Sequence, residues 1–205
     1  NPEEYAGISG TEVQTKLIPS DSTWLVSRDF YPGWTKVDFG DSLWMAAREI
    51  GPGAKFFESE AKKIWVHMDQ GSIPSTDSTQ SGLSGNKFYV RKTFEIPGLP
   101  VSGLIQLNLD GSYYLFLNSQ LVTSYNYGSS QEPATHTYNL SESLQSGKNV
   151  LAIEVRISNN LVGSLEAVLE INNLPEWFNI QEQLKGSFEN NLNDRSEERV
   201  KVDEQ

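Results

Sequence analysis

The amino-acid sequence predicts an all-β domain, a sandwich or barrel of short antiparallel strands, and two observations support this fold class. Short apolar runs alternate with turn residues from Thr23 to about Ile171. Within that span, three segments alternate apolar and polar residues with a period of two, which is typical of strands with one buried face. No apolar run approaches the roughly 20 residues that a membrane helix requires, so we expect no membrane insertion.

The chain divides into three parts. Residues 1–22 are polar and show no sustained period, which predicts a mostly irregular lead-in. Residues 23–173 form the predicted sandwich, and residues 174–205 form a predicted helical, acidic tail. Pro175 can occupy an early helical position, and the side chains after it fall mainly at four-residue steps, which predicts a helix over roughly 176–193. These side chains are Trp177, Gln181, Leu184, Phe188 and Leu192.

The three alternating segments are the strongest strand predictions. Residues 87–96 alternate with a single violation at Lys92, residues 150–157 alternate throughout, and residues 165–171 repeat the pattern. Because side chains on a strand point to opposite faces in turn, one face of each segment is expected in the core. The predicted core residues are Phe88, Val90, Phe94, Ile96, Leu151, Ile153, Val155, Ile157, Leu165, Ala167, Leu169 and Ile171.

Two turn signals lie between the first and second of these segments. Asp110-Gly111 separates two apolar runs, which predicts a β-hairpin at that point. Asn118-Ser119 separates the second run from residues 120–124 and predicts another tight turn, because Asn tolerates a positive φ.

Composition excludes several classes of function. The 205 residues include 27 acidic and 16 basic side chains, and a net charge of −11 argues against binding to nucleic acid or to an anionic membrane surface. Cysteine is absent, which excludes disulfides, thiolate metal sites and a cysteine nucleophile. The two histidines, His67 and His136, are too few for a histidine-rich zinc site.

Five motifs follow one another along the predicted sandwich. They are Trp24–Ser27 with Gly33-Trp34 and Asp38–Ala47, then Lys63-Ile64-Trp65, Tyr89–Pro97, Leu109–Asn118 and Gly147–Val155. In this order they resemble the galactose-binding-domain-like domains that accompany many glycoside hydrolases, including β-galactosidases and α-L-rhamnosidases. The resemblance implies a two-sheet antiparallel jelly-roll sandwich of eight or nine strands, secreted or on the cell surface, within a larger multidomain chain or assembly.

The sequence departs from the pattern of these domains at two places. Asn118-Ser119 stands where an Asn-Gly hairpin is usual, and Val162-Gly163-Ser164 stands where a Gly-Gly segment is usual. Neither departure conflicts with the fold, although both change loops near an edge where a ligand could bind.

The sequence carries no recognised catalytic signature. It has no nucleophile elbow, zinc-protease motif, phosphate loop or dinucleotide fingerprint. A glycosidase needs two opposed carboxylates, but among 27 acidic residues no pair is distinguished by its position. We therefore expect the chain not to be an enzyme.

Sugar binding requires an aromatic platform for the apolar face of the ring, with amide, carboxylate or guanidinium groups beside it for the hydroxyls. Trp34 lies in a loop-like Tyr-Pro-Gly-Trp context, and Tyr125-Asn126-Tyr127 combines two aromatic rings with an amide where a loop would reach the edge of the sandwich. The candidate ligand-binding residues are Trp34, Tyr125, Asn126, Tyr127, Arg91 and His136.

Each candidate also has a structural interpretation. Trp34 can equally be a core residue, and the tyrosines can belong to an ordinary packed loop. His136 is expected at an outward strand position as a surface histidine. Arg91 and Arg156 are expected on outward faces, solvated or in ion pairs. The remaining tryptophans of the motifs are expected in the core: Trp24, Trp44 and Trp65.

The resemblance also suggests a structural calcium ion, because jelly-roll modules of this kind often hold one in their loops. Asp38 and Asp41 are the candidate ligands, although no compact array of aspartates supplies the six to eight oxygens that calcium takes. Asp41 has a second interpretation, as the cap of the turn beneath which Trp44 packs.

Two functions from different classes remain. The first, implied by the resemblance, is a non-catalytic carbohydrate-binding module of an extracellular or cell-surface protein, accessory to a glycoside hydrolase. The alternative is a structural or assembly domain that contacts a protein partner through a sheet face and the tail, without binding a glycan.

Overall fold

The structure, a computed structural model, describes residues 13–57, 59–65, 86–109, 111–126, 135–157 and 164–176. These residues form twelve strands and one short 3₁₀ helix, Ser141–Ser143. The all-β prediction is confirmed, with more strands than the expected eight or nine. Residues 177–193 of the predicted helix lie outside the described residues. The strands are β1 (Gln14–Pro19), β2 (Leu25–Ser27), β3 (Met45–Ala46), β4 (Arg48–Phe56), β5 (Ser59–Trp65), β6 (Asn86–Ile96), β7 (Leu99–Leu109), β8 (Ser112–Leu117), β9 (Gln120–Tyr125), β10 (Thr135–Asn139), β11 (Gly147–Ile157) and β12 (Leu165–Leu174).

The strands form two six-stranded sheets. Sheet A has the order β10-β7-β12-β5-β4, with β1 also paired to β12, and sheet B has the order β3-β2-β6-β11-β8-β9. Every strand pair is antiparallel. The two sheets press their apolar faces together, which is the two-sheet antiparallel jelly-roll sandwich expected from the sequence.

The main core lies between the sheets and contains the apolar face of all three alternating segments. Trp24 and Trp65 are buried within it, as predicted, and Trp44 is buried in a second cluster described below. Lys92 pairs with Leu151 and so shares its inward face. Its amine reaches the rim of the sandwich and donates to the Thr23 hydroxyl. Partial burial lowers the pKa of Lys92.

The first strand corrects the expected start of the domain. β1 lies inside the lead-in predicted as irregular and pairs along β12 from Gln14 to Pro19. Ile18 is buried in the main core. A short strand at the end of a polar segment carries too few apolar residues to show a period, so only its pairing with β12 reveals it.

The two predicted turns have different outcomes. The hairpin expected at Gly111 is wrong, because β7 pairs with β10 and β12 in sheet A whereas β8 pairs with β9 and β11 in sheet B. A turn signal marks where the chain reverses, but either sheet can bury the strand that follows. The second turn is confirmed: Asn118 has φ 50° and Ser119 has φ 72°, as in a type I′ turn, and β8 pairs with β9.

Candidate functional site

A second apolar cluster lies on the outer face of sheet B, separate from the main core. The chain between β2 and β3 folds over that face, and four of its aromatic rings are buried or half-buried there. We call these rings the aromatic layer: Tyr31, Trp34, Phe39 and Trp44, which pack on Tyr89, Phe116, Leu25 and Ala152.

Trp34 is the centre of the aromatic layer. Its ring lies 5.1 Å from the Tyr89 ring in an edge-on arrangement and is stacked on Trp44 at 6.0 Å. Only 5% of its surface is exposed. Of the two alternatives that the sequence leaves open for Trp34, the structure therefore supports the core residue and not the exposed platform.

Arg91 holds the aromatic layer in place. It points outward from sheet B, as predicted, but it is 1% exposed and not solvated. Its guanidinium donates to the Asp41 carboxylate at 3.0 Å and to the Trp34 and Lys36 carbonyls at 2.5 and 3.0 Å. It also lies over the Phe39 ring, 5.2 Å from the centroid. Of the two alternatives for Arg91, the ion pair is confirmed and the solvated side chain is wrong, because the period of a strand gives the face of a residue and not what covers that face.

These contacts bear on the calcium prediction. The Asp41 carboxylate pairs with a buried cation, and the turn above Trp44 is closed by the Trp44 N–H donating to the Asp41 carbonyl at 2.9 Å. Asp38 is exposed in the same segment. The described residues contain no group of three or more acidic or histidine side chains that could hold a metal ion. Asp38 and an Asp41 carboxylate engaged by Arg91 supply fewer than the six to eight oxygens that calcium takes. Calcium binding by this pair stays a prediction that the structure does not support.

A second group of aromatic side chains lies where the edge strands of the two sheets meet. β9 is the edge of sheet B and β10 is the edge of sheet A. We call the group the rim cluster: Tyr113 on β8, Tyr125 on β9, and His136 and Tyr138 on β10.

The rim cluster has a buried side that joins the two sheets and a side that is partly exposed to solvent. Tyr113 is buried, and its hydroxyl is 2.6 Å from that of Tyr138, which joins the two sheets. Burial and this hydrogen bond raise the pKa of Tyr113 well above its usual value. The ring centroids of Tyr125 and His136 are 4.4 Å apart, and both residues are half-buried, so part of each remains in contact with solvent.

His136 corrects a prediction. It was expected on an outward face, but it pairs with Leu107, which lies in the main core, and so points between the sheets. The alternation along Thr135–Asn139 places His136 and Tyr138 on this inward face. Inward residues on an edge strand lie at the rim of the sandwich, where polar rings keep partial contact with water.

The rim cluster contains two of the predicted ligand-binding residues, Tyr125 and His136. A third, Asn126, is exposed directly after β9. Tyr127 lies outside the described residues. Tyr113 and Tyr138 were not selected from the sequence. The alternation of threonine with aromatic residues over 135–138 was a usable signal for Tyr138, whereas the hydroxyl pairing of Tyr113 depends on the other sheet.

The described residues form a two-sheet antiparallel β-sandwich domain, and the three solved structures compared with it below are longer chains. A calcium-binding mutant of Bacteroides uniformis beta-glucuronidase 2 matches with a TM-score of 0.50 and 14% identity over 78% of this chain and 18% of that chain. A glycosyl hydrolase family 2 member from Bacteroides cellulosilyticus matches with a TM-score of 0.46 and 21% identity, over 77% and 21% of the two chains. The α-L-rhamnosidase of Aspergillus terreus matches with a TM-score of 0.35 and 19% identity, over 45% and 13%.

At 14% identity, the match to the beta-glucuronidase shows a common fold and no more. This match confirms, at the level of the fold, the resemblance to β-sandwich domains found beside glycoside hydrolases. The chain spans about a fifth of the length of each of the two Bacteroides enzymes. No family model and no curated protein matches the chain. Within the described residues, no helix has the length and hydropathy of a membrane span.

Proposed function

We propose that the chain is a non-catalytic carbohydrate-binding module, accessory to a glycoside hydrolase, and that the rim cluster binds the glycan. The observation that carries the proposal is the half-exposed ring pair of Tyr125 and His136 beside the exposed Asn126 amide. A sugar ring can stack on the aromatic pair while its hydroxyls meet the amide. The match to the beta-glucuronidase covers only 18% of that chain, which supports an accessory role.

The geometry favours a shallow and weak site. Tyr125 is stacked on the buried Tyr113 at 5.4 Å, so its ring is held in a defined orientation before a ligand arrives. A preorganised ring loses little conformational entropy on binding. One stacked ring contributes about 1 kcal/mol, which is typical of a module that relies on several copies or on a neighbouring domain for tight binding.

The proposal is tested with a glycan array of plant, bacterial and host glycans, followed by titration of the best binder. Tyr125→Ala is expected to weaken binding about tenfold, because it removes the stacking ring and its support of His136. Tyr114→Ala is the matched control, since Tyr114 is a half-buried tyrosine on the outer face of sheet B, where Arg156 lies over its ring.

Binding by the native chain that is lost in Tyr125→Ala and kept in Tyr114→Ala supports the proposal. No binding to any glycan, or an equal loss in both variants, contradicts it. A secreted or cell-surface location is part of the same proposal, because a module that binds plant, bacterial or host glycans would meet them outside the cell. Fractionation of the native source tests this location.

The alternative function, an assembly domain, is favoured by a different observation. Phe30 and Leu43 lie on the segment that covers sheet B, and Met45 lies in β3 directly after it. They are 61%, 77% and 51% exposed. Large apolar side chains this exposed are typical of protein contacts when they form one patch. If Leu43→Ser and Phe30→Ser abolish an oligomer seen by light scattering and the glycan array is negative, assembly is the function.

A further inference from the structure

After β12 the chain passes directly against Gly98, a position that has no room for a side chain. Gly98 has φ +93°, and a Cβ there would lie 2.1 Å from the Leu174 carbonyl oxygen and 2.8 Å from the Glu176 nitrogen. The Asn173 amide also donates to the Pro97 carbonyl at 2.6 Å. These contacts fix the path of the chain from Leu174 to Glu176 on the turn between β6 and β7.

Exposed or half-buried apolar side chains surround this exit point at the end of sheet A. Leu174 pairs with Leu99 on one side, and the pairing of Gln14 with Asn173 places Val13 beside Leu174 on the other. Val101 lies at the bulge next to them. We call Val13, Leu99, Val101 and Leu174 the apolar row. Val13 is 46% exposed, Leu99 40% and Val101 50%.

A polar row bounds the apolar row. Along the same three strands, the Thr15 hydroxyl donates to the Asn172 side-chain carbonyl at 2.7 Å, and the Asn172 amide donates to the Ser102 hydroxyl at 3.0 Å. The apolar surface is therefore confined to the last residues of the sheet, where the chain passes into the segment after Glu176.

We propose that this apolar row is the docking surface for the chain's own C-terminal segment, residues 177–192. That segment carries an apolar stripe at helical spacing, formed by Trp177, Leu184, Phe188 and Leu192. An amphipathic segment must bury its stripe, and Leu174 of the apolar row lies only three residues before Trp177. A tether this short gives an effective concentration that a separate partner does not match.

The docking surface is distinct from the rim cluster. Leu99 begins β7, whereas the partner of His136 is Leu107, eight residues further along the same strand. At roughly 3.3 Å per residue the two regions are about 26 Å apart. The inference therefore stands or falls independently of glycan binding.

The test is amide hydrogen exchange by mass spectrometry on the full chain. Peptides from 177–192 are expected to be protected in the native chain, at a level that does not change with protein concentration. Val101→Asp is expected to speed their exchange roughly tenfold, because a charge disrupts the apolar contact. Ile50→Asp is the matched control, since Ile50 is also an exposed apolar residue at a bulge of sheet A.

A reciprocal variant keeps the test valid if Val101→Asp unfolds the sandwich. Trp177→Ser leaves every described residue unchanged, and it is expected to speed exchange in the same peptides and in the strand containing Leu99. An unprotected segment in the native chain overturns the inference. Protection that rises with concentration together with a dimer mass also overturns it, in favour of a second copy as the occupant, and equal effects of Val101→Asp and Ile50→Asp overturn the assignment to the apolar row.

Discussion

The aromatic layer and the rim cluster contain the same residue types but differ in how they are closed. In the aromatic layer, Trp34 and Trp44 are covered and the buried Arg91 ties the covering chain to sheet B. In the rim cluster, Tyr125 and His136 rest on a buried tyrosine and stay partly exposed. A concentration of aromatic residues therefore does not identify a binding surface. Aromatic rings that are partly exposed and packed on a buried ring identify a binding surface better than the number of aromatic residues does.

The largest expected effect is at Arg91, which holds the aromatic layer in place. Arg91→Ala is expected to lower the free energy of unfolding by about 4 kcal/mol, because it leaves the Asp41 carboxylate and two carbonyls without their donor. Urea denaturation measures the change. Arg156→Ala is the control, since Arg156 is half exposed in its pair with Glu154 and is expected to cost less than about 1 kcal/mol. Similar costs for both arginines would show that the layer does not depend on the buried cation.

The second prediction separates stability from binding. Trp34→Ala is expected to cost about 3 kcal/mol of stability, the lower end for a buried tryptophan, because the ring packs on Trp44, Tyr89 and Phe116. Under conditions where the variant is folded, its glycan affinity is expected to equal that of the native chain. Thermal unfolding and the titration described above measure the two quantities, and a selective loss of affinity would place the glycan site on the aromatic layer.

The third prediction concerns the support of the rim cluster. Tyr113→Phe is expected to cost about 1 kcal/mol at pH 8, because it leaves the Tyr138 hydroxyl without this partner. The raised pKa of Tyr113 adds a pH dependence: above about pH 10 the unfolded chain releases the proton and the folded chain keeps it, so stability falls as pH rises.

Urea denaturation at pH 8 and at alkaline pH measures this slope, which is expected to be shallower in Tyr113→Phe than in the native chain. Tyr114→Phe, on the opposite face of the same strand, provides the control. An unchanged slope in Tyr113→Phe would show that other groups account for the alkaline loss of stability.

The smallest expected effect is at the turn that faces the aromatic layer. Ser119→Gly is expected to raise stability by about 0.5 kcal/mol, because glycine adopts the positive φ of this position without strain. The gain is reduced by loss of the exposed contact between the Ser119 and Thr35 hydroxyls, at 3.2 Å. Asn118→Gly is expected to destabilise instead, because the Asn118 side chain bonds the Val150 N–H and the Ser143 carbonyl. Chemical denaturation distinguishes the two signs.

Particular residues show how far sequence reasoning reaches. Period-two alternation correctly placed Ile153 and Leu169 in the core, and turn chemistry correctly placed positive φ at Asn118. Alternation also put Arg91 on the outer face of sheet B, but its burial depends on a loop fifty residues earlier in the chain. The chain does bend at Gly111, but the predicted hairpin is wrong, because the sheet that receives β8 depends on partners far away in sequence.

The sequence by itself determined two pleated layers with a shared apolar interior, because alternation of side chains is a local property of each strand. Only the tertiary structure decided which outward faces are covered and which inward residues reach the rim. Trp34 is a core residue because its loop folds over sheet B, and His136 faces inward because of the register in which β10 pairs with β7. Both outcomes depend on contacts between distant segments, whose energies no local pattern contains.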